Sequence, residues 1–255
     1  MIWVVLPAYN EEDNLGELLR SIRHALDVST RYRVLVIDDG STDRTAAVAA
    51  REHPRMPVHT ISHGHNRGLA QAIRTGLAAV TKDAAEEDVL VIMDADNTHP
   101  PELIPRLIDA LDGGADVAIA SRFRRGSQVF GVPLMRRILS RGAALVFRGL
   151  FPIRGVRDYT CGYRAYRVGI LQRAMQEYGD DLIQSSGFSV MTELLLRLRP
   201  LGPAVSEVPL ILRYDRKRGK SKLVPGSTIL QYLTLIQGEF SRLAAKKRLT
   251  RGLDP

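Results

Sequence analysis

The stretch 89–96 constrains the fold more than any other part of this sequence, because five apolar residues lead straight into two carboxylates one residue apart. An unbroken run of branched apolar side chains is typical of a strand buried on both faces of a sheet. Asp94 and Asp96 then lie at the carboxyl end of that strand, where open α/β sheets bind their ligands. Both carboxylates can converge on one point, and a divalent cation would offset their repulsion. Two solvated or helix-capping acids are the simpler interpretation of this triplet taken alone.

Further apolar runs occupy residues 2–6, 34–37, 58–61, 116–121 and 205–212, and most of them alternate with segments of helical periodicity. Strands alternating with helices over the first 120 residues predict an α/β fold with a mostly parallel sheet and flanking helices. The second run also ends in acids, Asp38 and Asp39. A carboxylate in that place can accept hydrogen bonds from a nucleotide.

Charge divides the 255-residue chain into two unlike halves, although the net charge is only +8. Residues 1–121 carry 19 acidic and 11 basic side chains, whereas residues 122–222 carry 7 acidic and 20 basic ones. The basic half calls for an anionic partner such as phosphate, nucleic acid or an anionic membrane. The single cysteine fits a reducing compartment, and the sequence predicts neither a signal peptide nor a membrane-spanning helix.

Residues 133–151 have the pattern of a basic amphipathic helix. Their apolar arc includes Ile138, Leu139 and Val146, and a stripe of arginines lies opposite. Such a helix can lie in a bilayer interface, or it can be a core helix with a solvated basic face. Residues 224–255 predict a second amphipathic helix with a basic tail, appended to a catalytic domain of residues 1–223.

Several short motifs, in a fixed order over about residues 2–223, together resemble the family-2 glycosyltransferases. The later motifs narrow the resemblance to dolichyl-phosphate mannose synthases and bacterial polyprenyl-phosphate glycosyltransferases. The motifs are Pro7-Ala8-Tyr9-Asn10-Glu11, Asp38-Asp39-Gly40-Ser41, Asp94-Ala95-Asp96 with His99-Pro100-Pro101-Glu102, Ser121-Arg122, Ser140-Arg141-Gly142-Ala143, Gly162-Tyr163-Arg164-Ala165-Tyr166 and Gly219-Lys220-Ser221-Lys222-Leu223.

The resemblance implies a GT-A (Rossmann-like) fold and a nucleotide-sugar donor, with GDP-mannose favoured and UDP-glucose as the alternative. It places the nucleoside at Pro7, Tyr9, Glu11, Ile37 and Asp39. It places the diphosphate and a Mg²⁺ or Mn²⁺ ion at Asp94, Ala95 and Asp96. It places the phosphates of donor and acceptor at Arg122, Arg136, Arg216 and Lys222, and Arg164 is a further cation of the basic half that is expected to help hold the acceptor phosphate. Asp96, Arg122, Arg136 and Arg216 are the residues expected to carry catalysis.

One departure concerns the metal, because the family commonly has Leu-Gln after its Asp-Ala-Asp, with the glutamine as a further ligand. Here Asn97-Thr98 stands instead, and Thr98 offers only a hydroxyl as a third ligand. The expected reaction is an inverting transfer of a hexose, with mannose favoured, to a polyprenyl or dolichyl phosphate. The acceptor phosphate is already ionised near neutrality, so cations rather than a base would hold it.

Two alternatives stay open at this point. A sugar or protein hydroxyl acceptor would need a general base, for which Glu193 and Asp158 are the candidates. A non-catalytic basic module for membrane or nucleic acid would leave the acidic strand ends unexplained, and the chain carries no RNA- or DNA-binding signature, so no nucleic-acid partner is expected. The lipid acceptor predicts a cytoplasmic protein, peripheral on the inner face of the membrane and bound there directly or through an anchoring partner protein.

Overall fold

The computed structural model describes residues 1–26, 30–219 and 225–251, and this part of the chain forms nine strands and eight α-helices. The strands are β1 (Ile2–Ala8), β2 (Tyr32–Asp38), β3 (Val58–Ser62), β4 (Val89–Ile92), β5 (Val117–Ser121), β6 (Gln128–Phe130), β7 (Arg164–Arg167), β8 (Val205–Pro209) and β9 (Ile211–Arg213). The helices are α1 (Glu12–Ala25), α2 (Thr45–Glu52), α3 (Leu69–Asp83), α4 (Ile104–Asp112), α5 (Leu134–Leu150), α6 (Val168–Tyr178), α7 (Val190–Leu198) and α8 (Pro225–Arg251).

Seven strands form one sheet in the order β3-β2-β1-β4-β7-β5-β8. All neighbouring pairs in it are parallel except those made by β7, which runs antiparallel to both β4 and β5. The prediction of a mostly parallel α/β sheet is therefore confirmed. The remaining strands, β6 and β9, form a separate parallel pair that leads into the basic loop after β9.

The central strands are buried on both faces. All four residues of β4 are buried, although successive side chains point to opposite faces of the sheet. Helix α3 packs against β1 and β2, and α4 packs against β5, β7 and β8. Burial of both faces explains why these strands read as continuous apolar runs rather than alternating ones.

Strand β7 is the element of the main sheet that apolar periodicity did not predict. Its sequence, Arg-Ala-Tyr-Arg, has no apolar run, yet Arg164, Ala165 and Tyr166 are buried. Pairing with β4 on one side and β5 on the other supplies its hydrogen bonds and closes the gap between the two parallel groups. Its place in the sheet is therefore set by tertiary pairing rather than by local propensity.

Helices α5 and α8 contact each other through aromatic side chains, and both carry exposed apolar side chains. Phe147 of α5 contacts Tyr232 of α8 with ring centroids 5.4 Å apart, and Phe151 contacts Phe240 at 5.3 Å. Exposed large apolar residues of the two helices form what we call the apolar face, comprising Leu134, Met135, Ile138, Leu145, Val146, Leu150, Ile229, Leu230, Leu233, Phe240 and Leu243. The prediction of a helix over 133–151 is confirmed, and its apolar arc faces outward rather than into the core. No helix among the described residues is long and apolar enough to cross a bilayer.

Candidate functional site

The candidate site lies where β1, β2 and β4 end, because these three parallel strands deliver their carboxyl ends to the same edge of the sheet. Pro7 pairs in register with Ile37, so these two predicted nucleoside residues are neighbours on adjacent strands. Tyr9 and Glu11 follow β1 in the next loop. Glu11 is buried, and its side-chain Oε2 accepts a hydrogen bond of 2.7 Å from Asn14.

Two of the loops at this edge contain a residue in the left-handed backbone region. Asn10 follows β1 with φ 50°, and Asn97 follows β4 with φ 63°; no other described residue except glycine has a positive φ. Asparagine is among the few side chains that tolerate this region. The side chain of Asn10 accepts from the amide of Thr42, so it links the loops after β1 and β2 rather than capping α1.

Asp39 is almost fully enclosed by hydrogen-bond donors from the segment that leads into α3. Its carboxylate accepts from the amides of Arg67 at 2.9 Å and Gly68 at 2.8 Å, and Nδ1 of His63 lies 2.7 Å away. The neighbouring Gly40 has φ 71°, and a Cβ there would lie 2.3 Å from the main chain of His65. Asp39 therefore shapes the loop at the end of β2, beside the predicted nucleoside position.

Asp94 and Asp96 have different surroundings although only one residue separates them. The side chain of Asp94 is 50% exposed, whereas that of Asp96 is 12% exposed. His99 accepts a hydrogen bond from the main-chain amide of Asp94 at 3.1 Å and stacks on Tyr163. Gly162 also borders Asp94, since a Cβ on it would lie 3.6 Å from Oδ1. The structure thus leaves Asp94 accessible and holds Asp96 in place.

Thr98 forms two hydrogen bonds with the carboxylate of Asp96. Its hydroxyl donates to Oδ1 of Asp96 at 2.7 Å, and its amide donates to the same oxygen at 3.2 Å. Thr98 is buried, as is Ala95 between the two aspartates. In this geometry the threonine hydroxyl orients the carboxylate, and its role as a third ligand stays a prediction.

Lys217 is the site residue that motif reasoning missed. Its ammonium lies 2.5 Å from Oδ2 of Asp96, across 121 positions of sequence. Burial disfavours both charges, but each favours the other more strongly, so the pKa of Asp96 is lowered and that of Lys217 is raised. No sequence signal distinguished Lys217 from the other cations of its basic loop.

The loop that carries Lys217 is held at both ends by hydrogen bonds to residues that follow β4 and β1. The amide of Arg213 donates to the carbonyl of Thr98 at 3.0 Å. Asn14 accepts from the amide of Arg218 at 3.0 Å and donates to its carbonyl at 3.1 Å. These contacts bring the basic second half of the chain over the acidic first half.

A divalent cation fits this donor set in part. The two aspartates provide carboxylate oxygens, which Mg²⁺ and Mn²⁺ prefer, and a cationic group already lies against Asp96. No cluster of three or more metal-binding side chains occurs among the described residues. The protein thus offers two carboxylates, and a bound metal would complete its shell with phosphate oxygens and water.

Arg122 and Asp158 form a buried ion pair beside the aspartates. Asp158 is inaccessible, and its carboxylate accepts from the guanidinium of Arg122 at 2.6 and 2.8 Å and from three main-chain amides. Burial opposes the charge of Asp158, but Arg122 lowers its pKa below the ordinary value. The guanidinium also donates to the hydroxyl of Thr160 at 2.6 Å. Asp158 is therefore a positioning residue for Arg122 in this structure.

The remaining predicted cations lie in different places. Arg136 of α5 donates to the hydroxyl of Tyr214 at 2.6 Å, so α5 is linked to the loop that holds Lys217. Arg216 in that loop is exposed. Lys222 lies outside the described residues. The structure therefore links Arg136 of α5 to the loop that carries Arg216 and Lys217.

Arg164 requires a correction. It is fully buried in β7, and its guanidinium donates to the main-chain carbonyls of Met191 and Tyr159. A side chain enclosed in this way cannot reach a substrate phosphate, so the prediction that grouped Arg164 with the phosphate-binding cations is wrong. Its guanidinium instead links β7 to α7 through the hydrogen bond to the carbonyl of Met191.

Glu193, a candidate base in the hydroxyl-acceptor alternative, is also committed to structure. It is 2% exposed, and its carboxylate accepts from the amides of Gln184 and Ser185. Arg197 donates to it at 2.9 Å and also bonds Glu239 of α8. The carboxylate thus joins α7 and the loop before it to α8.

Comparison with known proteins identifies the class to which this arrangement belongs. The model of glycosyl transferase family 2 matches residues 3–174, and the chain is a member of this family. The chain thus belongs to a family of glycosyltransferases and has the GT-A fold, and this membership speaks against the alternative of a non-catalytic basic module.

Particular relatives share most of the chain. It is 37% identical over 247 residues to the dolichol-phosphate mannosyltransferase of Pyrococcus furiosus, covering 94% of this chain and 65% of that protein. It is also 37% identical over 230 residues to the polyprenol monophosphomannose synthase of Mycolicibacterium smegmatis, covering 89% and 82%. The chain therefore spans less than two thirds of the first relative and most of the second.

Solved structures support the fold. The glucosyl-3-phosphoglycerate synthase of Mycobacterium tuberculosis, in complex with Mn²⁺, UDP and glucosyl-3-phosphoglycerate, superposes with a TM-score of 0.67. It is 23% identical and the match covers 95% of this chain and 79% of that one. A second structure of that enzyme, with Mg²⁺ and UDP, gives a TM-score of 0.68.

Proposed function

We propose that this glycosyltransferase moves a hexose, with mannose favoured, from a nucleotide sugar to a polyprenyl or dolichyl phosphate, with inversion and with Mg²⁺ or Mn²⁺ bound at Asp94 and Asp96. One observation carries the choice of acceptor. The two candidate bases, Asp158 and Glu193, are both buried and engaged in ion pairs and main-chain hydrogen bonds. A reaction that needs no base fits such a site, and relatives named for dolichol and polyprenol acceptors support it.

The chemistry follows from charge. A lipid phosphate has a second pKa of about 6, so it is already a nucleophile near neutrality. The chain's task is to hold that anion beside a second anion, the donor diphosphate. Arg122, Arg136 and Arg216 supply the positive charge on the acceptor side, and direct attack on the anomeric carbon inverts it.

The donor diphosphate has its place at the ends of β1, β2 and β4. A divalent cation bound there would neutralise charge as the nucleoside diphosphate leaves. Asp94 is accessible for that purpose, whereas Thr98 fixes the orientation of Asp96. GDP-mannose is the favoured donor and UDP-glucose the alternative.

Peripheral attachment to a membrane belongs to this proposal, because a lipid-linked phosphate stays at the bilayer surface. The apolar face offers eleven exposed large side chains on α5 and α8, and Arg137, Arg141 and Arg148 are exposed on α5 as well. Apolar side chains beside basic ones favour binding to an anionic interface. Arg136 connects α5 to the loop whose Lys217 contacts Asp96, so the helix that carries part of the apolar face is linked to the site.

A donor and acceptor screen tests the function. The protein is incubated with GDP-mannose, UDP-glucose and related donors, with Mg²⁺ or Mn²⁺ and a short polyprenyl phosphate, and products are read by mass spectrometry. Arg216→Ala should lower transfer about tenfold or more, since a charge-assisted phosphate contact contributes ~1.5–3 kcal/mol. Arg173→Ala, an exposed arginine of α6, is the matched control. A hydroxyl-bearing acceptor used in place of the lipid phosphate, with Arg216 dispensable, would contradict the proposal.

A liposome assay tests the attachment. Ile138, Leu145 and Val146 are 53%, 69% and 46% exposed, so replacing all three with serine should leave folding intact. The triple variant should lose binding to anionic liposomes and transfer to long lipids, yet keep transfer to the short soluble acceptor. If the wild type ignores anionic liposomes at low salt, an anchoring partner protein takes over this role.

A further inference from the structure

Lys217 occupies one side of the carboxylate on which the proposed metal depends. Oδ2 of Asp96 is bound by its ammonium at 2.5 Å, and Oδ1 is bound by the hydroxyl and the amide of Thr98. Both oxygens of Asp96 therefore already have donors. A divalent cation that ligates this carboxylate would lie close to the ammonium, and the repulsion between the two cations sets them in competition for Asp96.

The two donors differ in how readily they can leave. Thr98 is buried, and one of its two hydrogen bonds comes from the main chain, so its position is fixed by the backbone. Lys217 reaches Asp96 on a flexible four-carbon stem. Its ammonium also lies 6.0 Å from the ring of Tyr214, on the same loop. The lysine is therefore the donor that gives way.

The loop itself need not open for this exchange. Its main chain is held by Thr98 through Arg213 and by the side chain of Asn14 through Arg218. Only the side chain of Lys217 has to rotate. When it leaves Asp96, its charge stays near the acidic strand ends, where a diphosphate is the anion that the proposed function brings.

We propose that Lys217 is an internal cation that competes with the divalent metal for Asp96, so that metal binding releases the lysine to the donor diphosphate. This rests on the proposed function only in assuming that a metal binds at Asp94 and Asp96. The lysine keeps the paired acids compensated before the metal arrives, since an uncompensated buried carboxylate is costly. It weakens binding of free metal, and the donor diphosphate, as a new partner for the ammonium, restores it.

The main test is Mn²⁺ binding without nucleotide, measured by electron paramagnetic resonance of the free ion. Lys217→Met keeps most of the length of the side chain and removes its charge, and it should bind Mn²⁺ at least tenfold more tightly than the wild type. Arg218→Met is the matched control, because Arg218 is a cation of the same loop that contacts Glu17 and not Asp96. It should change the affinity less than threefold.

A second measurement uses the wild type and so does not depend on the folding of a variant. Acetylation of lysines is followed by mass spectrometry with and without Mn²⁺, and the exposed Lys82 serves as internal reference. Lys217, with a side chain only 11% exposed, should react several-fold faster once Mn²⁺ is added. Adding a nucleoside diphosphate should then slow it again.

Equal Mn²⁺ affinity in wild type and Lys217→Met overturns the inference. If that variant does not fold, a rate of Lys217 acetylation that ignores Mn²⁺ overturns it instead. Metal-dependent sugar transfer alongside either result leaves the proposed function standing, so the two failures are distinct. Absence of Mn²⁺ binding in every variant overturns both the competition and the metal in the proposed function.

Discussion

The acids at the end of β2 and those at the end of β4 occupy equivalent places in the sheet but do different work. Asp39 is enclosed by two main-chain amides and His63, all from the following segment of chain. Asp94 is half exposed, and Asp96 is held by a lysine 121 positions away. The position of an acid at the end of a strand therefore does not by itself define it as catalytic. What distinguishes the two pairs is whether their hydrogen-bond partners are main-chain amides of the next segment or a mobile side chain from a distant loop.

The largest expected effect is a loss of transfer activity, and it concerns the acids at the end of β4 rather than those at the end of β2. Asp96→Ala should lower transfer by about a thousandfold, comparable to the loss when a charge-stabilising group is removed from an active site. Its folding should survive, because Lys217 can turn toward solvent once its partner is gone. EDTA should reproduce the loss in the wild type. Product formation and melting temperature are the measurements, and full activity in EDTA with no residual bound metal would remove the cation from the mechanism.

Asp158 extends the comparison to the basic half of the chain. Like Asp39, it is a buried acid whose carboxylate accepts hydrogen bonds from main-chain amides. Asp158→Asn leaves the guanidinium of Arg122 without its partner, and breaking such a pair costs ~3 kcal/mol or more. We expect the melting temperature to fall by about 6–12 °C. A loss of turnover with unchanged stability would instead support Asp158 as a base.

The stability difference between the wild type and Asp158→Asn should also depend on pH. The folded-state pKa of Asp158 is lowered below its ordinary value of 3.8 because Arg122 outweighs the effect of burial. A lowered carboxyl pKa contributes stability that is complete above about pH 4 and is lost as the pH falls through the folded-state value. The gap in unfolding free energy between wild type and Asp158→Asn should therefore be constant from about pH 5 to 7. It should shrink below about pH 4 in urea titrations.

How far the sequence predicts this molecule depends on the range of the deciding contacts. The run into Asp94 and Asp96 is local, so apolar patterning predicts both the strand and the position of its acids. The burial of Arg164 is decided by pairing of β7 with two strands distant in sequence, and Lys217 meets Asp96 only after the basic loop folds back. Motif order predicts the family, but it cannot say which cation of a cluster meets which acid.

For thermal stability we expect the opposite ranking from activity, with the acid at the end of β2 mattering more than the acid at the end of β4. Asp39→Ala removes the acceptor of two main-chain amides and leaves them unsatisfied, which costs ~2 kcal/mol. The melting temperature should fall by about 4–8 °C. Asp94→Ala, at a half-exposed side chain, should change it by less than about 2 °C, because exposed positions contribute little. Equal losses in thermal unfolding would mean that both pairs serve the fold alike.

The smallest effect concerns Thr98, which stands where the resemblance leads us to expect glutamine. The threonine hydroxyl donates to Asp96 at 2.7 Å, so Thr98→Val should loosen the orientation of that carboxylate and weaken Mn²⁺ binding by a few-fold. Thr98→Ser keeps the hydroxyl and is the control.

Thr98→Gln tests the other possibility for this position, that a longer side chain becomes a ligand. It should tighten Mn²⁺ binding by a few-fold, because an amide oxygen adds to a donor set that otherwise has two carboxylates. Thr98 is 3% exposed, so the glutamine must extend toward the metal side to fit. Calorimetric titration with Mn²⁺ measures the change in affinity. Weaker binding by the glutamine variant, with an unchanged melting temperature, would show that position 98 acts on the metal only through Asp96.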